Sequence, residues 1–547
     1  MMPARPRIEA SDVVFMYAPQ PEQYDLYRGT VTGWGGRAWQ REGRPVEEYR
    51  ARVSEAKRRN IRYCASVDFL VDFAGFIEFR PDTFMQSVCR DLDGNPLTVP
   101  WLHDHSHKGH PAYWFCTNSP DYRAYLMDQT ERACLAPVDG LHIDDYRGTS
   151  ACAAWNGGCF CRHCMTAFRE YLKRAGKLSA SEAERFDYRE HLKQAGITAA
   201  QYRQNAWKVP FGAEFQQFQR EAVARLIRQV YEKAESLMRK PLLRSVNSSA
   251  SSPEALLVEP LVDYFCGEVD HHASQKGISV EPLFVYRLVE AFNKRQTATA
   301  SGWDWAWIAA NEKPGLVRAW VAQAYAFGSV FMVPHNQWCY TPEKGTHWWR
   351  GKPEDFAFLY RFVREHRQLF DGYLPLTNTL LEIDESRFEA AKRLAVAMLE
   401  SNVPFAVLYR TPDARPHTAG NARTSGYRVL TAEHTPTNLP EETQKQLQVE
   451  SKGKFVVSLR RRAQRGGHPA VIHLLNRDYR VETDSVVPAD ATVRLGGVLL
   501  QRFGISAREV TALSPEGRAM NATLQKTKEG VAVEVKNAGL WTVVAIK

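Results

Sequence analysis

The stretch Asp139-Gly-Leu-His-Ile-Asp-Asp-Tyr-Arg147, followed by Cys159-Phe-Cys-Arg-His-Cys164, decides how the chain reads. A short apolar run ends in two adjacent carboxylates, Asp144 and Asp145. A C-x-C-x-x-C cluster then leads straight into an amphipathic helix pattern over Cys164–Ala175. Carboxylates at the C-terminal tip of a parallel strand are where (β/α)8 barrels place their chemistry. Thiols spaced this closely suit a soft cation.

Outward from this stretch, strand-like runs alternate with helix patterns. The runs are Val13–Tyr17, Ile61–Val67, Ala112–Cys116, Gly140–Asp144, Leu242–Val246, Val262–Glu268, Thr297–Gly302 and Gly328–Pro334. Between most of them lie helix patterns such as Val46–Arg59, Pro120–Cys134, Glu214–Arg239 and Lys313–Ala326. Eight strands with crossover helices predict a (β/α)8 TIM barrel over residues 1–372. Asp93-Gly94-Asn95 is a hairpin signal and predicts a folded insert within Phe79–His110. Past Tyr373 the pattern changes. Leu376–Ile383, Arg387–Ser401, Ala406–Tyr409, Tyr427–Thr431, a helix over Glu441–Val449 and a strand over Lys454–Ser458 predict a three-layer α/β domain, residues 373–465. Only strand signals follow: Val471–Leu475, Ala491–Leu495, Val510–Leu513, Val531–Val535 and Trp541–Ile546 predict a C-terminal β-sandwich, residues 466–547.

At 547 residues the chain has room for two or three domains. Its 44% hydrophobic and 24% charged residues exclude a disordered polypeptide. No run approaches the apolar length of a bilayer span. The net charge of +9 is scattered, apart from Lys57-Arg-Arg59 and Arg460-Arg-Arg462, so neither nucleic acid nor membrane is an expected partner. Met1–Asp12 has no apolar leader core, so the expected location is cytoplasmic, or secreted with a signal peptide absent from this sequence. Clustering of Cys152, Cys159, Cys161 and Cys164 points to metal and suits a reducing compartment.

The segment Trp114-Phe-Cys-Thr-Asn-Ser-Pro-Asp-Tyr-Arg123, then Asp144-Asp-Tyr146, then Cys159-Phe-Cys-Arg-His-Cys-Met-Thr-Ala-Phe-Arg-Glu-Tyr-Leu172, resembles the family 42 glycoside hydrolases, the β-galactosidases. That family carries a Phe-Cys-Pro-x-Ser-Pro-x-Tyr-Arg segment, an Asn-Glu-Tyr strand end and a C-x-C-x-x-C helix start. The specific likeness covers roughly residues 112–175 and is architectural elsewhere. It implies a structural zinc held by Cys116, Cys159, Cys161 and Cys164, with Cys152 a rival for the fourth place. It also implies a domain order of barrel, flavodoxin-like trimerisation domain and β domain, and hence a homo-oligomer, dimer or trimer. The α/β region has no Gly-rich phosphate loop, so it is assigned to assembly and not to a cofactor. One departure matters: the family's Asn-Glu, whose Glu is the general acid, stands here as Asp144-Asp145. The phrase around them is also similar to uncharacterised glycoside-hydrolase-like barrels with Asp-Gly-Ile-His-Leu-Asp-Asp-Tyr.

Sugar hydrolysis needs two carboxylates. Strand alternation turns His142 and Asp144 into the barrel and Asp145 toward the loop, and neighbouring acids raise one pKa. Asp139, at the strand start, reads as structural. The partner acid is Glu268, in Cys266-Gly-Glu-Val-Asp-His-His272, with Asp304, in Gly302-Trp-Asp-Trp-Ala-Trp307, as second choice. Asp304 lies on the strand from which family 42 draws its nucleophile, a Glu there. Asp144 as nucleophile with Glu268 as acid would look like the α-glycosidase barrels instead, and both assignments stay open. Candidate sugar contacts are Asp68, His142, Arg147, Asn247, Trp303, Trp305, His335, Asn336 and Trp338. The histidines of His103-Asp-His-Ser-His107 read as a polar cap or, more weakly, a catalytic metal site. The expected activity is exo-acting removal of a terminal sugar. The rivals are an anionic-sugar exo-glycosidase (sialidase or uronidase type) using Arg62, Arg147 and Arg244 as a clamp, and a non-catalytic carbohydrate-binding barrel.

Overall fold

The computed structural model describes residues 5–35, 46–411, 415–421, 424–435, 437–462 and 468–547. Eight parallel strands form its centre: β1 Val14–Phe15, β2 Val31–Thr32, β3 Arg62–Asp68, β4 Gly140–Asp144, β5 Leu243–Val246, β6 Phe265–Val269, β7 Gln296–Ala300 and β8 Val330–Phe331. They pair in chain order. A parallel bridge between Asn247 and Cys266 joins β5 to β6, and the Val333 N–H donates to the Val14 carbonyl (2.8 Å) to close the ring. Helices Val46–Arg58, Pro120–Ala133, Gly212–Met238, Glu281–Ala291, Pro314–Ala326 and Pro353–Glu365 cover the outside. The strands are buried on both faces, so they read as apolar or small-residue runs without clean alternation. Gly140 is one such position, since a Cβ there would lie 2.5 Å from Cys64 Sγ and 2.6 Å from the Leu243 carbonyl oxygen.

Two expectations about the barrel strands need correction. The second strand of the ring is Val31–Thr32, a two-residue strand between Gly29 and Gly33 that is too short to carry a periodic signal. Ala112–Cys116 is not in the ring. It makes single antiparallel bridges to the insert (Tyr113 to Thr98, Phe115 to Val88), and its apolar character comes from burial under that insert. The Asp93-Gly94-Asn95 turn does form, with the Gly94 N–H on the Asp91 carbonyl and the Asn95 N–H on Asp91 Oδ1.

After the barrel comes a mixed sheet ordered Pro416–Thr418, Ala406–Arg410, Thr379–Asp384, Arg428–Leu430, with helix Phe388–Glu400 against it. Two antiparallel sheets follow. One is ordered Tyr373–Pro375, Phe455–Arg462, Ala470–Asn476, Trp541–Ile546, Val510–Leu513; the other Leu447–Ser451, Ala489–Gly496, Gly530–Ala538, Ala522–Thr527. Alternate residues such as Val457, Leu459, Ile472, Val493, Val533 and Val544 share their core. The segment Lys454–Ser458 therefore pairs in the last sheets and not in the α/β layer. The helix pattern over Glu441–Val449 shrinks to the single turn Glu441–Gln444, because Leu447-Gln-Val-Glu-Ser451 alternates at period two and pairs with Ala489–Gly496. The expected boundary at 465/466 lies outside the described residues. Among the described residues no helix is long and apolar enough to cross a membrane.

The barrel is locked to the first of these sheets by buried charge. Glu290, on helix Glu281–Ala291, pairs with Arg287 (3.0 Å) and with Arg460 of strand Phe455–Arg462, and all three side chains are buried. Arg460 also donates to the Tyr373 carbonyl. Arg460→Met leaves Glu290 with one partner, and a loss of about 3 kcal/mol is expected in urea unfolding; Arg494→Met, at an exposed pair with Glu450, should leave the unfolding midpoint nearly unmoved.

Candidate active site

The parallel register of β3 and β4 sets Asp68 beside Asp144, and with Asp145 their carboxylate oxygens lie within 4.8 Å of one another. Asp145 has φ +44°, a left-handed conformation that a non-glycine residue adopts at a cost. That bend swings the chain out of β4 into helix Gly148–Asn156 and aims the Asp145 N–H at Asp144 Oδ1 (2.9 Å). Asn247, just past β5, donates Nδ2–H to the same oxygen (3.0 Å). Two donors thus fix one oxygen of Asp144, an arrangement suited to a carboxylate.

Glu268, on β6, faces the same cavity. Burial, reinforced by the charges of Asp144 and then Asp304, pushes its carboxyl up to about 7. Asp144, Asp145, Asn247 and Glu268 all open onto one cavity of about 810 Å³ at the C-terminal ends of the strands. Tryptophans crowd its mouth: Trp155 (50% exposed), Trp303 (57%) and Trp348 (49%) are among the most exposed large apolar side chains of the molecule, and all three line it. Exposed indoles gathered around one cleft mark a ligand surface.

The other candidates divide. Trp303, Trp338, Asn247 and Arg147 line the cavity. Asp68 lies beneath, its Oδ1 accepting the Leu70 and Val71 N–H groups, so it shapes the carboxylate cluster from behind. Asp304 has a different job from the one expected. Its carboxylate accepts the N–H groups of His271 (2.8 Å) and Ala273 (2.7 Å) and the Ser301 hydroxyl (3.0 Å), so it clamps the loop after β6 to helix Gly302–Asn311. Trp305 is a core residue, stacked on Trp349 with Nε1–H on Thr299. His142 is fully buried under Trp34, hydrogen-bonded to Ser245, and burial lowers its imidazole to about 3. His335 turns its ring to Phe15, and the Asn336 amide oxygen is buried with no described partner; neither lines the cavity. Among the described residues the histidine run gathers no cluster of metal ligands: His103 meets the Pro100 carbonyl, His105 pairs with Asp104 and His107 with Glu78. His105 does line the cavity. Arg62 and Arg244 begin strands at the opposite end and pair with Asp12 and Glu235, so they form no clamp. Residues the sequence reading missed are Tyr17, Trp34, Trp101 and Trp155, on the loops after β1 to β4. Trp34 had a signal, an aromatic set among glycines in Thr32-Gly-Trp-Gly35 at a strand tip.

Behind the β4 loop, Cys116, Cys159, Cys161 and Cys164 bury their sulfurs within 4.8 Å of one another. Cys116 lies 3.4 Å from Cys164 and 3.5 Å from Cys161. Four thiolates about 2.3 Å from a tetrahedral zinc would stand about 3.8 Å apart, close to this arrangement. Asn118 and Gln219 aim side-chain N–H groups at Cys164 Sγ (3.4 and 3.3 Å), and the Asn118 backbone N–H points at Cys116 Sγ. Such donors offset thiolate charge in metal sites. Cys152 lies against Cys89 and is not one of the four. The residues fit a structural metal that ties the β4 loop to the segment before helix Pro120–Ala133.

No family model matches the chain. It is 24% identical over 337 residues to an alpha-agarase of Alteromonas agarilytica, covering 59% of this chain and 23% of that protein. It is 23% identical over 395 residues to an alpha-agarase of Thalassotalea agarivorans, covering 68% and 26%. The chain thus spans about a quarter of the length of the curated relatives it matches. Among solved structures it is similar to a GH42 beta-galactosidase from G. stearothermophilus, with TM-score 0.59 and 11% identity, covering 98% of this chain and 100% of that one. A beta-galactosidase from the psychrophilic Marinomonas ef1 gives TM-score 0.52 at 12% identity, covering 96% and 99%. The chain has the fold of these β-galactosidases, in line with the sequence resemblance.

Proposed function

We propose that the protein is a glycoside hydrolase in which Glu268 is the general acid and Asp144 the carboxylate facing the anomeric carbon. The observation that carries this is the pair itself: two acids on β4 and β6 share one tryptophan-rimmed cavity, and one of them holds its proton near neutral pH. Glu268 gives that proton to the leaving oxygen. Asp144, fixed by Asn247 and the Asp145 N–H, attacks carbon or draws a proton from water. The anomer released first, read by NMR, distinguishes the two. Because the acid must be protonated, kcat/KM should fall about tenfold per pH unit above about 7. Glu268→Asp should move that limb.

Galactosides and agar-type chains are the substrates we infer, from the names carried by proteins of the same fold and by the sequence relatives. For the exo mode, the support is a wall on the β1–β2 side. There the Thr346 N–H meets Asp104, and Tyr17 packs between Trp34 and Trp348. Incubation with aryl galactosides and with agarose tests both points. One small product from the first minutes supports exo action, and a rapid loss of viscosity overturns it. The metal would be zinc, structural in role, and the α/β layer after the barrel would serve assembly into a dimer or trimer, checked by light scattering.

A further inference from the structure

We propose that Arg147 receives an anionic substituent, a sulfate ester or a carboxylate, on the sugar chain in the cleft. The inference rests on the glycosidase reading and narrows its substrate class. Arg147 lines the cavity next to three acids, Asp144, Asp145 and Glu268. Its guanidinium lies over the Trp155 ring, 4.8 Å from the centroid. Stacking of this kind uses the flat face of the group and leaves its N–H edge for a planar or trigonal oxyanion. Among the described residues that edge has no hydrogen-bond or ion-pair partner, whereas Arg62 and Arg244 are each engaged by a carboxylate.

Arg220, on the long helix Gly212–Met238, feels the charges of Glu254 and Glu385 first and the repulsion of Arg147 after them. Burial lowers the Arg220 guanidinium from its ordinary value, and its Nε is buried with no acceptor. It stacks on Trp207 and forms no ion pair with a described residue. Neither guanidinium forms an ion pair with a described residue, although the charges of Glu254 and Glu385 reach Arg220. Helix Gly148–Asn156 starts at Arg147, so its positive end adds to the field. The neighbouring wall carries Ser248, Ser249, Ser251 and Ser252, hydroxyls that suit those of a sugar. The cleft therefore has one place, on the β4 loop, where a negative group lowers the energy of the complex.

The test measures binding by calorimetry to the full chain carrying Glu268→Gln, so that turnover does not intrude. Three probes separate the sources of charge: a sulfated galactan oligosaccharide, the same chain after desulfation, and an oligosaccharide containing uronic acid. At least one charged probe should bind tenfold or more tighter than the desulfated chain, the weight of a pair of charge-assisted hydrogen bonds. Adding Arg147→Met should bring that ratio to about one, whatever affinity all probes lose together, and Arg147→Lys should restore part of it. Equal binding of all three probes, no binding of any, or a preference that survives Arg147→Met overturns the proposal. Turnover of the same probes by the unmodified chain is scored separately: its absence strikes the glycosidase reading, while the binding ratio still decides Arg147.

Discussion

Glu268→Gln should abolish turnover, by a factor of about 10³ or more in kcat, while the folded protein becomes more stable above pH 7. General acid catalysis is worth roughly 10² to 10⁴ in rate, and an amide cannot release the proton. Stability should move the other way because the native carboxyl is pushed up from 4.5 to about 7. A carboxyl whose native pKa is raised is no burden while protonated, below about pH 4.5. It becomes one as pH rises from about 4.5, where the unfolded carboxyl ionises while the buried one keeps its proton, and the burden is complete above about 7. The full penalty is on the order of 3 kcal/mol, and glutamine removes it. Unfolding midpoints for the two proteins should therefore coincide near pH 4 and separate by pH 8, with the variant higher. Asp144→Asn should lose as much turnover with a smaller pH-dependent gain, because it removes one charge that raises Glu268 and leaves burial, the larger cause. A variant at 268 that keeps a tenth of the activity would return the acid role to another carboxylate.

Loss of the four-cysteine site should be the largest stability effect in the chain. Cys164→Ser breaks the tetrad and removes the acceptor of the Asn118 and Gln219 amides. A structural metal commonly contributes many kcal/mol to a small domain, and a metal held by these four thiolates would put part of that at stake here. We expect metal content, by plasma mass spectrometry, to fall from one zinc per chain to none, with a thermal midpoint lower by 10 °C or more. Cys134→Ser, outside the cluster, should leave both unchanged. Because helix Gly148–Asn156 lies between Asp145 and the loop that bears Cys159, turnover should fall along with the metal. A purified chain that holds no metal and melts as high as Cys164→Ser would mean the cysteines are simply a buried thiol cluster.

How much of this was legible before the structure depends on the element. Within the barrel, from Gly140–Asp144 onward, the strands were readable because each is a buried run bounded by polar turns or a helix pattern. Near the start, two misreadings cancelled. Val31–Thr32 is shorter than any periodic window, while Ala112–Cys116 is apolar for a reason unrelated to the ring, so the count of eight survived and Asp144 kept its place on the fourth strand. Glu268 could be found because its strand ends there. Asp304 could not be told from a catalytic acid, since a carboxylate that caps a loop and one that meets a sugar look alike without the N–H groups of His271 and Ala273. Likewise Trp303 and Trp305 are two residues apart in one helix, and only packing sends one to solvent and the other into the core. His142 shows the converse, a polar side chain at an inward position that is filled by the barrel's own packing.

Closure of the ring has a consequence for how the molecule is made. The hydrogen bond that completes it joins Val14 to Val333, and the Tyr325 hydroxyl reaches back to the Asp12 carbonyl. The first strand must wait for a partner about 320 residues later, which at roughly 5 to 20 residues per second is between about a quarter of a minute and a minute of synthesis. During that interval β1 is an unpaired edge on a half-built sheet on the ribosome, the condition under which nascent chains recruit holdases. A chain released early, before Val333, should be found with chaperones and not free in solution.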